Sequence, residues 1–249
     1  MTTGQREGSR RKSRPWPLEF YSSAVGKKWV MALTGIVLLG YILSHLLGNL
    51  KVYLGPEEID SYGEALRDLG GRLVPRTYLL WLLRIGLTAA FVVHIHAAYS
   101  LALLNRRQRP VRYESPREYL VASYASRTMV WTGTIVLLFV IFHLADLTWG
   151  APEPAATGDF VRGAVYDNMV ASFSRWPVAL IYIVANLALG LHIFHGTWSL
   201  FQSIGINNPK FNRWRRGLAA GFTIFVTGGN LTFPLAVLSG IVGDSGFLA

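Results

Sequence analysis

The sequence predicts an all-α integral membrane protein, a bundle of five transmembrane helices with its N-terminus in the cytoplasm. Three observations carry that prediction. Of 249 residues, 51% are hydrophobic and only 15% are charged, a balance more typical of membrane proteins than of soluble domains. Five apolar stretches each reach the ~20 residues a helix needs to cross the hydrocarbon core. Lysine and arginine are dense on one side of these stretches and sparse on the other, as the positive-inside rule requires.

Residues 1–25 form a polar, basic tail with Arg6, Arg10, Arg11, Lys12 and Arg14. The apolar run behind it is too long for a signal peptide and lacks a small-residue cleavage site, so the tail is expected to remain, on the cytoplasmic side. The transmembrane domain is expected over residues 26–243, with helices near 26–50, 76–104, 127–150, 176–204 and 216–241. Residues 244–249 are expected as an extracytoplasmic C-terminus. Seventeen of the 24 lysines and arginines lie on the tail and on the second and fourth loops, six lie on the first and third loops, and Arg84 falls inside a span. The first outer loop, residues 56–69, has spaced apolar positions and reads as a short surface helix. The last span contains Thr227-Gly228-Gly229-Asn230 and Pro234, which predict a kink. No internal repeat is obvious.

Composition also excludes functions. The chain has no cysteine, so it supplies no disulfide and no thiolate metal site, and any metal must be held by nitrogen or oxygen. The net charge of +10 sits beside apolar spans instead of on a soluble basic face, which argues topology and not nucleic-acid binding.

All six histidines, His45, His94, His96, His143, His192 and His195, lie inside predicted spans. Ionisable groups at membrane depth are costly and mark function by default. Counting a rise of about 1.5 Å per residue from the cytoplasmic anchors puts His45 and His143 about 24 to 26 Å deep, and the other four about 15 to 20 Å deep. Each level draws histidine from two helices, as axial ligation of a haem from both faces requires. The natural pairs are His45 with His143 and His94 with His192. His96, His195 and Asp146 are additional candidate ligands. His192 with His195, or His143 with Asp146, share a helix face and could chelate one ion, so a non-haem iron centre, including a Rieske-like cluster, stays open beside one or two b-type haems. Arg84 falls near the depth of Asp146, where it could pair with that carboxylate or meet a haem propionate.

The segments bearing these histidines also carry longer words. Ser44 to Glu57 reads SHLLGNLKVYLGPE and Val93 to Tyr113 reads VHIHAAYSLALLNRRQRPVRY. SRTMVWTG and FHLADLTWG follow between Ser126 and Gly150, and Leu189 to Lys210 reads LGLHIFHGTWSLFQSIGINNPK. Together, and in order over nearly the whole chain, they resemble the cytochrome b558-type membrane subunit of succinate dehydrogenases and fumarate reductases. The resemblance implies a multi-pass cell-membrane anchor for a flavoprotein subunit and an iron–sulfur subunit on the cytoplasmic side. Electrons from succinate would pass through it to menaquinone or ubiquinone. It implies haem ligands at His45, His94, His143 and His192, and it makes the chain part of a respiratory, tricarboxylic-acid-cycle enzyme without giving it succinate oxidation itself. Asp146 and His96 depart from the family pattern. A higher oligomer of the whole complex stays open.

A quinone needs an apolar slot and one or two polar groups to meet its carbonyls. The cytoplasmic interface offers Tyr21, Ser22, Ser23, Lys27, Lys28 and Trp29 on helix 1, Tyr99 with Ser100 on helix 2, and Trp198, Ser199 and Gln202 on helix 4. Two readings compete with the redox anchor: a cofactor-free quinone-binding anchor, and a proton-coupled transporter using the histidines as a relay.

Overall fold

The computed structural model describes residues 15–107, 121–151, 160–206 and 208–243, and of residues 121–127 the backbone alone. Most of the basic tail, Arg109 of the second loop, Glu153 and Asp159 of the third, and residues 244–249 therefore lie outside the described residues.

Among the described residues the chain is helical. Helix α1 (Trp16–Ser22) starts on Pro15 and Pro17 and leaves Trp16 and Leu18 exposed. Helix α2 (Ala24–Asn49) follows at once, because the Ser23 side chain accepts from Gly26 N at 2.9 Å and satisfies an otherwise orphaned amide. A 3₁₀ stretch, Leu50–Leu54, extends α2 to Gly55, whose φ of 103° suits glycine. Pro56 then opens α3 (Pro56–Ala65), the expected outer surface helix. Helix α4 is Tyr78–Arg107 and α5 is Val121–Leu144. Helix α5 widens into a π-helical turn, Ala145–Trp149, closed by left-handed Gly150. A short outer helix, α6 (Val165–Phe173), was not expected from the sequence. Helices α7 (Trp176–Ser203) and α8 (Asn212–Leu238) complete the set.

Five stretches are long and apolar enough to cross a membrane: Ala24–Leu54, Tyr78–Arg107, Thr128–Trp149, Trp176–Ser203 and Pro209–Leu238. The last begins earlier than the expected 216, because hydropathy marks the membrane boundary and not the first helical residue. Asn208 accepts from Lys210 N at 2.9 Å to start the turn, and Arg215 is fully buried, donating to Ile206 O and Asn212 Oδ1. Helix α8 also continues through Gly228, Gly229 and Pro234, where the sequence predicts a kink.

Helix α2 packs along α4, α5 along α7, and α8 against α7, with α2 also touching α7 and α8. The outer half is closed by a cluster that includes Leu46, Val52, Ile59, Phe173, Tyr182 and Phe233. Glycine permits the closest crossings. A Cβ on Gly229 would lie 2.8 Å from Leu46 Cδ1, and one on Gly190 would lie 2.6 Å from Thr227 Oγ1. Side chains such as Leu33, Ile36, Leu82 and Ile224 face outward, as expected of a lipid-facing surface.

Candidate functional site

The histidines gather between the two hairpins, α2 with α4 and α5 with α7. His45 on α2 and His143 on α5 meet with ring centroids 5.8 Å apart and planes at 85°. Tyr41 stacks on His45 at 5.4 Å, and Asn49 Nδ2 lies 3.3 Å from His45 Nε2. His143 Nδ1 lies 3.4 Å from the Tyr182 hydroxyl, which donates to Asp146 Oδ2 at 2.9 Å.

His94 and His192 line one cavity of about 400 Å³, walled mainly by apolar side chains including Leu38, Leu39, Phe91 and Leu137. That volume falls in the usual range for ligand sites. Thr34 Oγ1 is 3.1 Å from His94 Nδ1, and Thr132 Oγ1 is 3.4 Å from His192 Nδ1. Gly35 and Gly133 sit beside these threonines. A Cβ there would stand 3.7 Å from His94 Cε1 and 3.2 Å from His192 Cε1 respectively. The cavity also reaches Tyr99, Asn105, His195, Ser199 and Ser203.

The remaining candidate ligands are placed differently. His96 turns to Tyr21, with its Nδ1 2.5 Å from the phenol oxygen. His195 lines the cavity, meets the edge of Trp198 at 6.3 Å, and has a buried Nδ1 without a hydrogen-bond partner. Asp146, on the π-helical turn, is buried and accepts from Ser172, Tyr182 and Arg175, the last at 3.2 Å. The expected pairing of Asp146 with Arg84 is therefore corrected. Arg84 is exposed on α4 and lies 5.2 Å over the Trp81 ring, because similar depth does not place two side chains on facing sides of their helices. Among the described residues, no group of three or more histidine, aspartate or glutamate side chains is gathered closely enough to hold a metal ion.

A family model described as the succinate dehydrogenase/fumarate reductase transmembrane subunit matches residues 105–231. The chain belongs to that family. Among curated proteins and solved structures, nothing matches it. The family match covers His143 and His192 of this transmembrane subunit and stops short of His45 and His94.

An internal correspondence ties the two halves together. Met31 and Met129, Thr34 and Thr132, Gly35 and Gly133, His45 and His143, and His94 and His192 are each 98 positions apart. The reading that no repeat is obvious is corrected by this interval. Hairpin α2–α4 corresponds to hairpin α5–α7, so each histidine pair joins equivalent positions of the two hairpins. Two axial imidazoles on one ion, with metal–nitrogen bonds of about 2 Å, stand with centroids about 6 Å apart. The His45–His143 separation meets that spacing, and at the inner level the apolar cavity between His94 and His192 gives a flat ring somewhere to lie.

The expected quinone residues do not form one site. Tyr99 lines the cavity and shares a 2.6 Å hydrogen bond with Thr134. Tyr21 and Lys27 form a separate cluster, with Lys27 Nζ 2.8 Å from Tyr21 O and 4.6 Å over its ring. Ser22 and Ser23 serve the backbone of α1 and α2. Lys28, Trp29 and Gln202 are exposed, and Trp198 has Arg216 5.9 Å over its ring. Thr34 and Thr132, which the sequence reading passed over, are the side chains within hydrogen-bonding distance of the inner histidines. The 98-residue interval was the signal that could have found them.

Proposed function

We propose that this subunit anchors a flavoprotein subunit and an iron–sulfur subunit to the cytoplasmic face of the cell membrane. It passes their electrons to a membrane quinone through b-type haem. The observation that supports this best is the pairing of histidines from opposite hairpins at two levels, the inner pair opening on an apolar cavity. His94 with His192, and His45 with His143, would hold the haems. Bound there, haem supplies one-electron transfer between the soluble subunits and the quinone pool. Two-ligand sites favour haem over a compact non-haem centre, since no group of three or more histidine, aspartate or glutamate side chains stands close enough to hold one ion among the described residues. Quinone would meet the end of the cavity that carries Tyr99, Asn105 and Ser199, where a hydroxyl or amide can bond its carbonyl oxygens. Succinate oxidation belongs to the flavoprotein partner.

The test is a reduced-minus-oxidised visible spectrum of the purified complex, with pyridine haemochrome, iron and sulfide analysis on the same sample. Stoichiometric b-type haem is the expected result. Iron in excess of the partner's clusters without haem would move the histidines to a non-haem centre, and no excess iron would leave a cofactor-free anchor.

A further inference from the structure

We propose that Thr34 and Thr132 are matched positioning residues: each accepts the Nδ1–H of a histidine on the neighbouring helix, leaving Nε2 of His94 and of His192 as the lone-pair nitrogen for their shared cavity. This rests on the reading of His94 and His192 as ligands.

The argument is one of proton accounting. A threonine hydroxyl has one hydrogen to give and lone pairs with which to accept. Thr34 Oγ1 lies 2.7 Å from Val30 O and Thr132 Oγ1 lies 3.0 Å from Thr128 O. A carbonyl only accepts, so each hydroxyl hydrogen is directed along its own helix and each oxygen presents a lone pair to the imidazole. The 3.1 Å and 3.4 Å contacts to Nδ1 are then satisfied when the ring carries its proton on Nδ1. A neutral imidazole protonated on Nδ1 has its lone pair on Nε2, the state a metal ligand needs.

The duplication makes coincidence a poor explanation. Threonine and histidine are 60 residues apart in both contacts, and the methionine, threonine, adjacent glycine and histidine all recur at the 98-residue interval. The arrangement exists twice, once in each hairpin, on the two walls of one cavity.

The test uses the whole complex in lipid. Nitrogen-15 solid-state NMR of histidine-labelled, reduced complex distinguishes Nδ1–H from Nε2–H, with resonances assigned through His94→Gln and His192→Gln. Nδ1–H at both residues is expected. Thr34→Val and Thr132→Val, which keep the side-chain shape, should each reduce that population at the facing histidine and shift the inner centre's midpoint potential upward. A ligand that loses its acceptor becomes a poorer electron donor and weakens its hold, with metal affinity falling about 10- to 100-fold. Thr34→Ser and Thr132→Ser should restore all three readouts. Nε2–H at either residue in the unmodified complex, or valine variants whose tautomer and potential do not move, would overturn the proposal. Iron analysis separates it from the function proposed above. A complex lacking a His-ligated centre while both residues remain Nδ1–H defeats the redox reading and supports the tautomer assignment.

Discussion

Arg175 Nη2 lies 3.2 Å from Asp146 Oδ1, in an ion pair whose carboxylate is fully buried while the guanidinium side chain is 31% exposed. The two ends are therefore unequal. Removing the arginine strands a buried charge, which costs about 3–5 kcal/mol. Removing the carboxylate charge leaves an arginine that still reaches water. Arg175→Ala should lower the thermal unfolding midpoint of the detergent-solubilised complex well below that of Asp146→Asn. Equal losses would show that the pair is not the governing contact.

The histidines should fall into two classes. Substituting glutamine at His94 or His192 should remove the inner centre's optical and EPR signature and leave the outer signature in place, with the reverse at His45 or His143. His96→Gln should leave both intact, because its ring is committed to Tyr21 at 2.5 Å. A lost centre in the His96 variant would contradict this assignment.

The two glycines beside the inner histidines should respond differently to a methyl group. At Gly35 a Cβ would make an ordinary 3.7 Å contact with His94, whereas at Gly133 it would press on His192 at 3.2 Å. Gly35→Ala should retain the inner centre's EPR line shape. Gly133→Ala should alter it, since the ring must shift by a few tenths of an ångström.

Helix packing offers a prediction free of any cofactor. A valine at Gly229 would force its Cβ to 2.8 Å from Leu46, which is 1% exposed and has no room to retreat. Overpacking of this kind costs about 1–3 kcal/mol, to be read as a lower unfolding midpoint. Valine at Gly40, where no atom lies within 4 Å of a Cβ, should change it little.

Much of this architecture was legible before any coordinates. Apolar length located the five spans, since a bilayer imposes length and hydrophobicity on every crossing helix. Depth counting grouped His45 with His143 and His94 with His192, because rise per residue is nearly constant. Azimuth was not legible. Arg84 shares the depth of Asp146 yet points out beside Trp81, while Arg175, from the loop before α7, takes the carboxylate. His96 and His94 are two residues apart, which on a helix turns one ring away from the other's face. Helix α6 escaped notice because nine residues carry too short a pattern of apolar positions to stand out beside spans three times as long. The internal correspondence was obscured by its sparseness: a methionine, a threonine, a glycine and two histidines, with a few apolar identities such as Leu39 with Leu137 and Ile95 with Ile193, among positions that mostly differ.

The fifth span breaks the equivalence of the two hairpins. Helix α8 lies along α7, and nothing among the described residues takes the corresponding seat on α4, so the most apolar stretch of α7 is 44% buried while that of α4 is 0% buried. Local opening is easiest where few neighbours hold a segment. Two chemically twinned imidazoles thus ride on mounts of different stiffness: His192 on a helix clamped from two sides, His94 on one braced from a single side. Any breathing of the cavity should accordingly be lopsided, with the larger excursions expected on the His94 side.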